Sequence, residues 1–189
     1  MLLENSLAFS HSLLSRHVQA GDIVVDATAG NGHDTVFLAQ YVGEYGQVYA
    51  FDIQEIALQR TQERLQQAKL AKRVQLIHAS HADLAEYVPP NIATVMFNFG
   101  YLPGGDKQLS TQTHSSLAAL QSALKLLAVG GVVSAVLYPG HFAGAAESAA
   151  VLQWAQNLPQ QAFSVLQYGF INQRNQPPIL LVIEKLRCT

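Results

Sequence analysis

The sequence predicts an α/β protein with a seven-stranded, mostly parallel sheet, an antiparallel last strand and helices on both faces. Apolar strand patterns alternate with amphipathic helical patterns along most of the 189 residues, which places parallel strands in a sheet that helices cover on both sides. The last two strand patterns are separated only by the polar segment "NQRNQPP", which permits an antiparallel hairpin and no crossover helix. A chain of this length is typical of one domain, 1–189.

The first half of the chain contains three strand patterns, each followed by a helical pattern. The strand patterns cover 22–27, 47–53 and 74–79, and the helical patterns cover 33–42, 54–70 and the short segment 81–88. Before them, Leu3, Leu7, Leu14 and Val18 keep helical spacing, with His11 on the same stripe. We therefore expect residues 1–20 to form an amphipathic helix that packs on the domain.

The second half contains four further strand patterns, at 92–98, 132–139, 162–171 and 178–185. Helical patterns cover 144–158 and a segment in which four leucines, from Leu117 to Leu127, are in register. Because glycine commonly ends a helix, we place the end of that helix at Gly130-Gly131.

The composition bounds the class of function. Lys and Arg number 11 against 13 Asp and Glu, for a net charge of −2, so no overall positive field attracts nucleic acid. An RNA enzyme is still compatible with this charge if a few local cations, shape and stacking supply recognition. Cys188, the single cysteine, lies one residue from the C-terminus, which excludes an internal disulfide framework and a multi-cysteine zinc site. We expect no metal.

The N-terminal segment carries Glu4 and polar residues throughout, and it lacks the basic start and apolar centre of a signal peptide. Hydrophobic residues make up 49% of the chain, but no uninterrupted apolar run has membrane-spanning length. We therefore expect a cytoplasmic protein without a membrane partner. The same apolar content is compatible with a homodimer.

Nearly every unusual stretch of the sequence falls at the end of a predicted strand. The segments "DATAGNGHD", "FDIQ", "HASH", "NFGYLPGGDK", "YPGH" and "NQRNQPP" end or follow the first six strand patterns, in that order. Ligands of such sheets bind at the carboxyl ends of the strands. This convergence predicts an active site at that edge.

Glycines and a carboxylate after the first two strands indicate a nucleoside-containing cofactor. Gly30 and Gly32 lie in the first strand-to-helix turn, where glycine permits a sharp turn and the close approach of a ligand. Because Thr35 replaces the third glycine of the dinucleotide fingerprint, a diphosphate is less well supported. Asp52 ends the second strand, where a carboxylate accepts hydrogen bonds from ribose hydroxyls.

The order of elements, with its final hairpin, "DATAGNGHD" and Asp52, resembles the class I S-adenosylmethionine-dependent methyltransferases, which have a Rossmann-like fold. The resemblance implies S-adenosylmethionine as the cofactor. It places the amino acid part of the cofactor near Asp26, Ala29, Gly30, Asn31 and Gly32, the ribose on Asp52, the adenine beside Ile53 and Gln54, and its amino edge near Ser80 and His81.

The loop after the fourth strand resembles a substrate motif of the amino-methylating members of that class. Those members carry Asn or Asp, then Pro-Pro and an aromatic residue; "NFGY" keeps the first and last residue types and replaces both prolines. The resemblance implies that the Asn98 side chain and the Phe99 carbonyl orient the target amine beside the cofactor, and that Tyr101 packs on the base or ribose. We expect Asn98 and Tyr101 to be catalytic, with Asn98 also bordering the cofactor.

Four separated motifs, "DATAGNGHDT", "NFGYLPGGDK", "YPGH" and "NQRNQPPILLVIEK", resemble in their order a small family labelled as rRNA methylases. Members of that family act as tRNA 5-(aminomethyl)-2-thiouridine methyltransferases at the wobble base, and their usual loop has Leu at the position of Phe99. The resemblance implies N-methylation of a primary amine on a modified wobble uridine, with tRNA as the partner. A methyltransferase that acts on rRNA or on another amino-bearing nucleobase is the alternative.

Further substrate contacts are expected on the same edge, from Gly100, Asp106, Lys107, Tyr138, His141 and Arg174. Lys107 and Arg174 are candidate phosphate contacts or solvated cations, and Asp106 or His141 is a candidate proton acceptor, a role that water can also fill. Two other classes stay open. The incomplete glycine fingerprint disfavours a nucleotide-binding oxidoreductase, and Asp52 with Asn98 disfavours a noncatalytic cofactor-binding subunit.

Overall fold

The computed structural model describes residues 2–100, 111–140 and 142–187. Within them, seven strands form a single sheet. The strands are β1 (Ile23–Asp26), β2 (Gln47–Asp52), β3 (Val74–His78), β4 (Ile92–Asn98), β5 (Leu127–Leu137), β6 (Phe163–Tyr168) and β7 (Ile179–Lys185). Their order is β3-β2-β1-β4-β5-β7-β6, and β7 alone runs antiparallel to its neighbours β5 and β6. The predicted fold class is confirmed.

Helices cover both faces of the sheet in the described part of the chain. They are α1 (Ser6–His17), α2 (His33–Tyr41), α3 (Glu55–Gln67), α4 (Leu84–Tyr87), α5 (Thr113–Leu126) and α6 (Phe142–Gln156). One face buries Leu14 of α1 together with Leu38 of α2 and Leu65 of α3. The opposite face buries Leu84 of α4 and Leu120 of α5. The strands between two such layers are apolar on both faces, which is why they read as continuous hydrophobic runs.

The central strand β4 shows this arrangement directly. Val95, Met96 and Phe97 are all fully buried. Met96 packs in the cluster with α1 and α2, whereas Val95 and Phe97 pack in the cluster with α4 and α5. Successive side chains point to opposite faces of a strand, so β4 is anchored from both sides up to Asn98, its last residue.

Two predicted element bounds are wrong. Leu127 does not continue the preceding helix but begins β5, where it pairs with Ile92 of β4. The strand then runs through Gly130, whose φ is +82°, with an irregular register between Ile92 and Thr94. Pairing with β4 decides this bound, and leucine spacing carries no information about it. At the N-terminus, α1 begins after Asn5, whose side chain accepts from Ala8 N, so Leu3 lies outside the helix.

The loops after β5 and β6 meet at the carboxyl edge of the sheet, as the sequence predicted. A Cβ atom at Gly140 would lie 3.1 Å from the Asn175 carbonyl oxygen and 3.4 Å from that of Gln176. The helix α1 reaches the same edge, because Ser6 Oγ donates a hydrogen bond of 2.6 Å to the Pro178 carbonyl. Among the described residues, none of the helices has the length and apolarity needed to cross a membrane.

Candidate active site

The ends of β1 and β4 form the centre of the site. These two strands are parallel neighbours, and the chain continues from β1 to β2 on one side and from β4 to β5 on the other. At such a switch point the following loops diverge and leave a crevice. Thr28 Oγ1 accepts a hydrogen bond of 2.8 Å from the Asn98 backbone amide, and the Ala27 amide donates one of 2.8 Å to the Met96 carbonyl. The loops that follow β1 and β4 are therefore hydrogen-bonded to each other where they leave the sheet.

The glycine loop between β1 and α2 packs closely on α3. Gly30 and Gly32 have φ values of +54° and +78°, and a Cβ atom at Gly32 would lie 2.8 Å from the Thr61 Cα atom. Arg64 Nε donates a hydrogen bond of 2.8 Å to the Asn31 carbonyl, and Arg60 Nη1 donates one of 3.2 Å to the Asn31 side-chain oxygen. The second glycine is therefore required both by its left-handed conformation and by the distance to α3.

Asp52 holds the glycine loop from the end of β2. Its Oδ2 atom accepts a hydrogen bond of 2.9 Å from the Gly30 amide, and Oδ1 accepts another of 2.9 Å from the Gln54 amide at the start of α3. Each carboxylate oxygen can accept a second hydrogen bond. Ile53, the next residue, is 51% exposed and offers an apolar surface at the rim of the same crevice. Asp52 and Ile53 therefore offer acceptors and an apolar wall side by side.

Asp26 shapes the turn from inside the protein. The residue is fully buried, and its two oxygens accept hydrogen bonds from the Thr28 amide at 3.1 Å and the Thr35 hydroxyl at 2.5 Å. Burial, with the negative charges of Asp34 and Asp52, raises the pKa of Asp26 to about 7, although the two hydrogen bonds oppose the shift. Its predicted place beside the amino acid part of the cofactor stays a prediction.

Ser80 and His81 follow β3, as predicted. Ser80 Oγ accepts 3.1 Å from the Ala82 amide and so begins the turn that carries His81. The His81 ring makes edge contacts with Phe97 and Phe99, at centroid distances of 6.1 and 6.0 Å. Burial lowers the pKa of His81 to about 4, so its imidazole is neutral at physiological pH and carries no positive charge to a ligand.

Asn98 is connected to three elements through its side chain. Its Nδ2 atom donates a hydrogen bond of 3.2 Å to Oδ2 of Asp34, a residue in the first turn of α2. The other oxygen of that carboxylate, Oδ1, lies 2.8 Å from His11 Nε2 of α1. The Asn98 side chain also interacts with Tyr138, directly after β5, and opposes the rise in the pKa of that phenol. Burial and the Asp34 charge raise the pKa of Tyr138 above its usual 10, so the phenol stays protonated. These four side chains form the polar wall of the crevice.

The loop after β4 is anchored at both described ends. Phe99 is 1% exposed and its ring stacks on Phe97 with centroids 5.0 Å apart, so the ring belongs to the core and the contact of the Phe99 carbonyl with an amine stays a prediction. Gly100, with φ +139°, donates 3.0 Å to Thr111 Oγ1 and accepts 2.9 Å from the Thr111 amide. Thr111 in turn donates 2.8 Å to Glu147 Oε2.

Four predicted substrate residues, Tyr101, Asp106, Lys107 and His141, lie outside the described residues. Arg174 is exposed in the segment between β6 and β7, next to the Asn175 carbonyl that meets Gly140. Arg174 therefore lies at the predicted edge, and its contact with a phosphate stays a prediction.

A family model described as "Putative rRNA methylase" matches residues 48–184, which is well over half of the chain. The chain belongs to this family. It is 35% identical, over 93% of its own length and 68% of the other protein, to a tRNA (mnm(5)s(2)U34)-methyltransferase, chloroplastic, from Arabidopsis thaliana.

Solved structures agree with this family. A "putative rRNA-methylase" from Clostridium thermocellum is 44% identical and superposes with a TM-score of 0.95, covering 97% of this chain and 98% of the other. A "putative methyltransferase" from Streptococcus mutans, in complex with S-adenosylhomocysteine (SAH), is 39% identical with a TM-score of 0.89, covering 97% and 99%. The predicted family, fold, methyltransferase class and S-adenosylmethionine as the cofactor of that class are confirmed, and the oxidoreductase alternative is no longer needed.

Sequence reasoning did not single out four residues that shape the site of this methylase-family chain. Asp34 reads equally well as a carboxylate that favours the dipole of α2, and His11 reads as part of an apolar stripe. Thr111 carries no motif. Glu147 is 5% exposed and also accepts 2.6 Å from Ser116 Oγ. A carboxylate inside the apolar helix segment "GAAESAAVLQWA" was the signal that could have identified it.

Proposed function

We propose that this chain is an S-adenosylmethionine-dependent RNA N-methyltransferase that converts 5-aminomethyl-2-thiouridine to 5-methylaminomethyl-2-thiouridine at the wobble position of tRNA. The observation that carries the proposal is the Asn98 amide at the switch point, with its nitrogen bonded to Asp34, beside the glycine loop and Asp52. The 35% sequence identity to a protein named as a tRNA (mnm(5)s(2)U34)-methyltransferase supports the same substrate.

The residues of the crevice fit S-adenosylmethionine. Asp52 has free acceptor capacity for the two ribose hydroxyls, and the exposed Ile53 side chain offers an apolar surface to the adenine. Gly30, whose φ is +54°, lets the amino acid part approach the backbone, whereas Gly32 lets the loop pack on Thr61 of α3. Asp52 would therefore hold the ribose, Ile53 and Gln54 the adenine, and the glycine loop the methionine portion.

When bound, S-adenosylmethionine would supply an activated methyl group, whose carbon–sulfur bond would break as the amine nitrogen takes the methyl group and gives up a proton to water. The task of the protein is to hold a neutral amine in line with that bond. The Asn98 side-chain oxygen and the Phe99 carbonyl would accept the amine hydrogens. The half-buried Tyr138 and the buried Phe99 ring reduce the access of water, and desolvation favours the neutral amine.

A methyltransferase acting on rRNA is the second candidate, and the description of the matching family favours it. With a net charge of −2, either RNA would be recognised through local contacts such as Arg174 and through shape. A homodimer that extends this surface and a cytoplasmic location stay predictions from the sequence.

The decisive experiment incubates the pure protein and S-adenosylmethionine with tRNA that carries 5-aminomethyl-2-thiouridine. The RNA is digested, and mass spectrometry follows the nucleoside for the gain of one methyl mass. We expect conversion of this nucleoside alone. Binding of the cofactor without conversion, together with methylation of rRNA in a parallel reaction, would replace tRNA by rRNA as the substrate.

The variant Asn98→Ala tests the amine-binding role. We expect turnover to fall on the order of a hundredfold or more, because one aligned hydrogen-bonding group is lost, while the affinity for cofactor changes little. Asn157→Ala, an identical change at an exposed position after α6, is the matched control. Equal losses of turnover and cofactor affinity in Asn98→Ala would show that the residue holds the cofactor and not the amine.

A further inference from the structure

The carboxylate of Asp34 lies between a histidine and the amide of Asn98. His11 Nε2 is 2.8 Å from Oδ1, and Asn98 Nδ2 is 3.2 Å from Oδ2. The Asp34 side chain is 7% exposed, so water does not compete freely for these bonds. Both oxygens of the carboxylate are therefore held, one by α1 and one by the end of β4.

The His11 ring is itself held in place. It lies parallel to the Phe37 ring of α2, with centroids 4.1 Å apart and an interplanar angle of 4°. His11 is 30% exposed at its side chain, and its stacking leaves Nε2 directed at Asp34. The N-terminal helix thus contributes a group to the site, which the sequence alone predicted only to pack on the domain.

The contact with Asp34 determines which way the Asn98 amide faces. A side-chain amide has nearly the same shape after a half-turn that exchanges its oxygen and nitrogen. An ionised carboxylate only accepts hydrogen bonds, so Asn98 must present its nitrogen to Asp34. Its oxygen then lies at the opposite edge of the planar amide group, where it can accept a hydrogen bond from a substrate amine.

We infer that Asp34, oriented by His11, is a positioning residue that fixes the Asn98 amide with its oxygen toward the substrate amine. The inference rests on the proposed function only for the identity of the amine. The Asp34 charge also helps to raise the pKa of Tyr138, so its field reaches the far side of the Asn98 amide.

The first test needs no RNA. In the ¹⁵N-labelled protein, the side-chain NH₂ signals of Asn98 are assigned by their loss in Asn98→Ala. We expect them to shift in Asp34→Asn, because an amide at position 34 can donate or accept and no longer selects one orientation. His11→Phe, which keeps the stacked ring and removes the nitrogen, should shift them in the same way. Asp22→Asn, at the opposite end of β1, is the control. Unshifted Asn98 signals in Asp34→Asn would overturn the inference, whatever the substrate proves to be.

The second test is a double-mutant cycle on turnover with the aminomethyl tRNA. We expect Asp34→Asn to lower kcat on the order of tenfold to a hundredfold, the effect of a misplaced reacting group, with KM and cofactor affinity nearly unchanged. Added to Asn98→Ala, the same change should cost nothing further, because Asp34 acts through Asn98. Independent, multiplicative losses in the two backgrounds would overturn the inference. If the wild type leaves this tRNA unchanged, the substrate proposal fails and the NMR result still stands.

Discussion

Gly100 and Thr111 are joined by two hydrogen bonds across the segment 101–110. The Gly100 amide donates to Thr111 Oγ1 at 3.0 Å, and the Thr111 amide donates to the Gly100 carbonyl at 2.9 Å. Glu147 of α6 holds this pair from behind, since it accepts 2.8 Å from the Thr111 hydroxyl. The ends of the loop after β4 are thus set by a carboxylate far away in the sequence.

Replacing Glu147 by Ala should destabilise the protein and weaken action on the RNA. Hydrogen bonds to a charged group contribute about 1.5–3 kcal/mol each, and this change removes those of Thr111 and Ser116. We expect a lower free energy of unfolding in urea and a lower kcat/KM for the RNA, with cofactor affinity unchanged. Glu184→Ala, at an exposed position of β7, is the control. A loss of stability without any loss of kcat/KM would show that the loop does not depend on this anchor.

Replacing Gly32 by Ala should cost more than the same change at Gly130. Both glycines have left-handed backbones, with φ of +78° and +82°, so alanine is strained at either position by about 1–2 kcal/mol. At Gly130 nothing lies within 4 Å of the added carbon, whereas at Gly32 the Thr61 Cα atom lies 2.8 Å away. We expect Gly32→Ala alone to lose cofactor affinity in calorimetric titration. Equal effects of the two variants on unfolding and on binding would contradict the role of close packing on α3.

Replacing Asp52 by Asn should weaken cofactor binding about tenfold to a hundredfold, the equivalent of one charge-assisted hydrogen bond. The amide has one acceptor oxygen in place of two, so it cannot accept from both Gly30 and Gln54 and still bind two ribose hydroxyls. Turnover at saturating cofactor should change less. Titration with S-adenosylhomocysteine measures the affinity, and Asp22→Asn is the control. An unchanged affinity would remove Asp52 from the cofactor site.

Acid should destabilise the wild type relative to His81→Phe. The pKa of His81 is lowered from 6.5 to about 4, so the folded state binds fewer protons than the unfolded state between these values. This contribution to stability is present above pH 6.5 and is lost as the pH falls toward 4. The raised pKa of Asp26 has the opposite sign, since its contribution is lost as the pH rises from 3.8 toward 7.

Because the wild type and His81→Phe both contain Asp26, its contribution cancels in the difference between their free energies of unfolding. Urea unfolding is measured for both proteins from pH 7.5 to 4.5. As the pH falls, the free energy of unfolding of the wild type should decrease relative to that of His81→Phe, by at most about 1.4 kcal/mol per pH unit. The exposed His114 offers the control, His114→Phe. A difference that stays constant over this range would mean that His81 titrates normally in the folded protein.

The pattern of apolar and polar residues along the chain predicted the helices and strands well and the side-chain contacts poorly. The strand 92–98 is found where its apolar run predicts it, because a buried strand needs only its own residues to be recognised. The start of β5 at Leu127 was missed, because it depends on pairing with Ile92. The alignment of the cofactor loops at one edge follows from topology, so Asp52 and Asn98 could be placed near each other without coordinates.

What the sequence by itself determined is the parallel α/β order, the edge that carries the site and the family, since each of these depends on patterns and motifs read along the chain. Only the tertiary structure decided which groups touch. It brought His11 of the first helix to Asp34 and Glu147 of the last helix to Thr111. It also buried Phe99 in the core. Contacts between residues far apart in the chain depend on how the layers pack, and such packing leaves no periodic trace in the sequence.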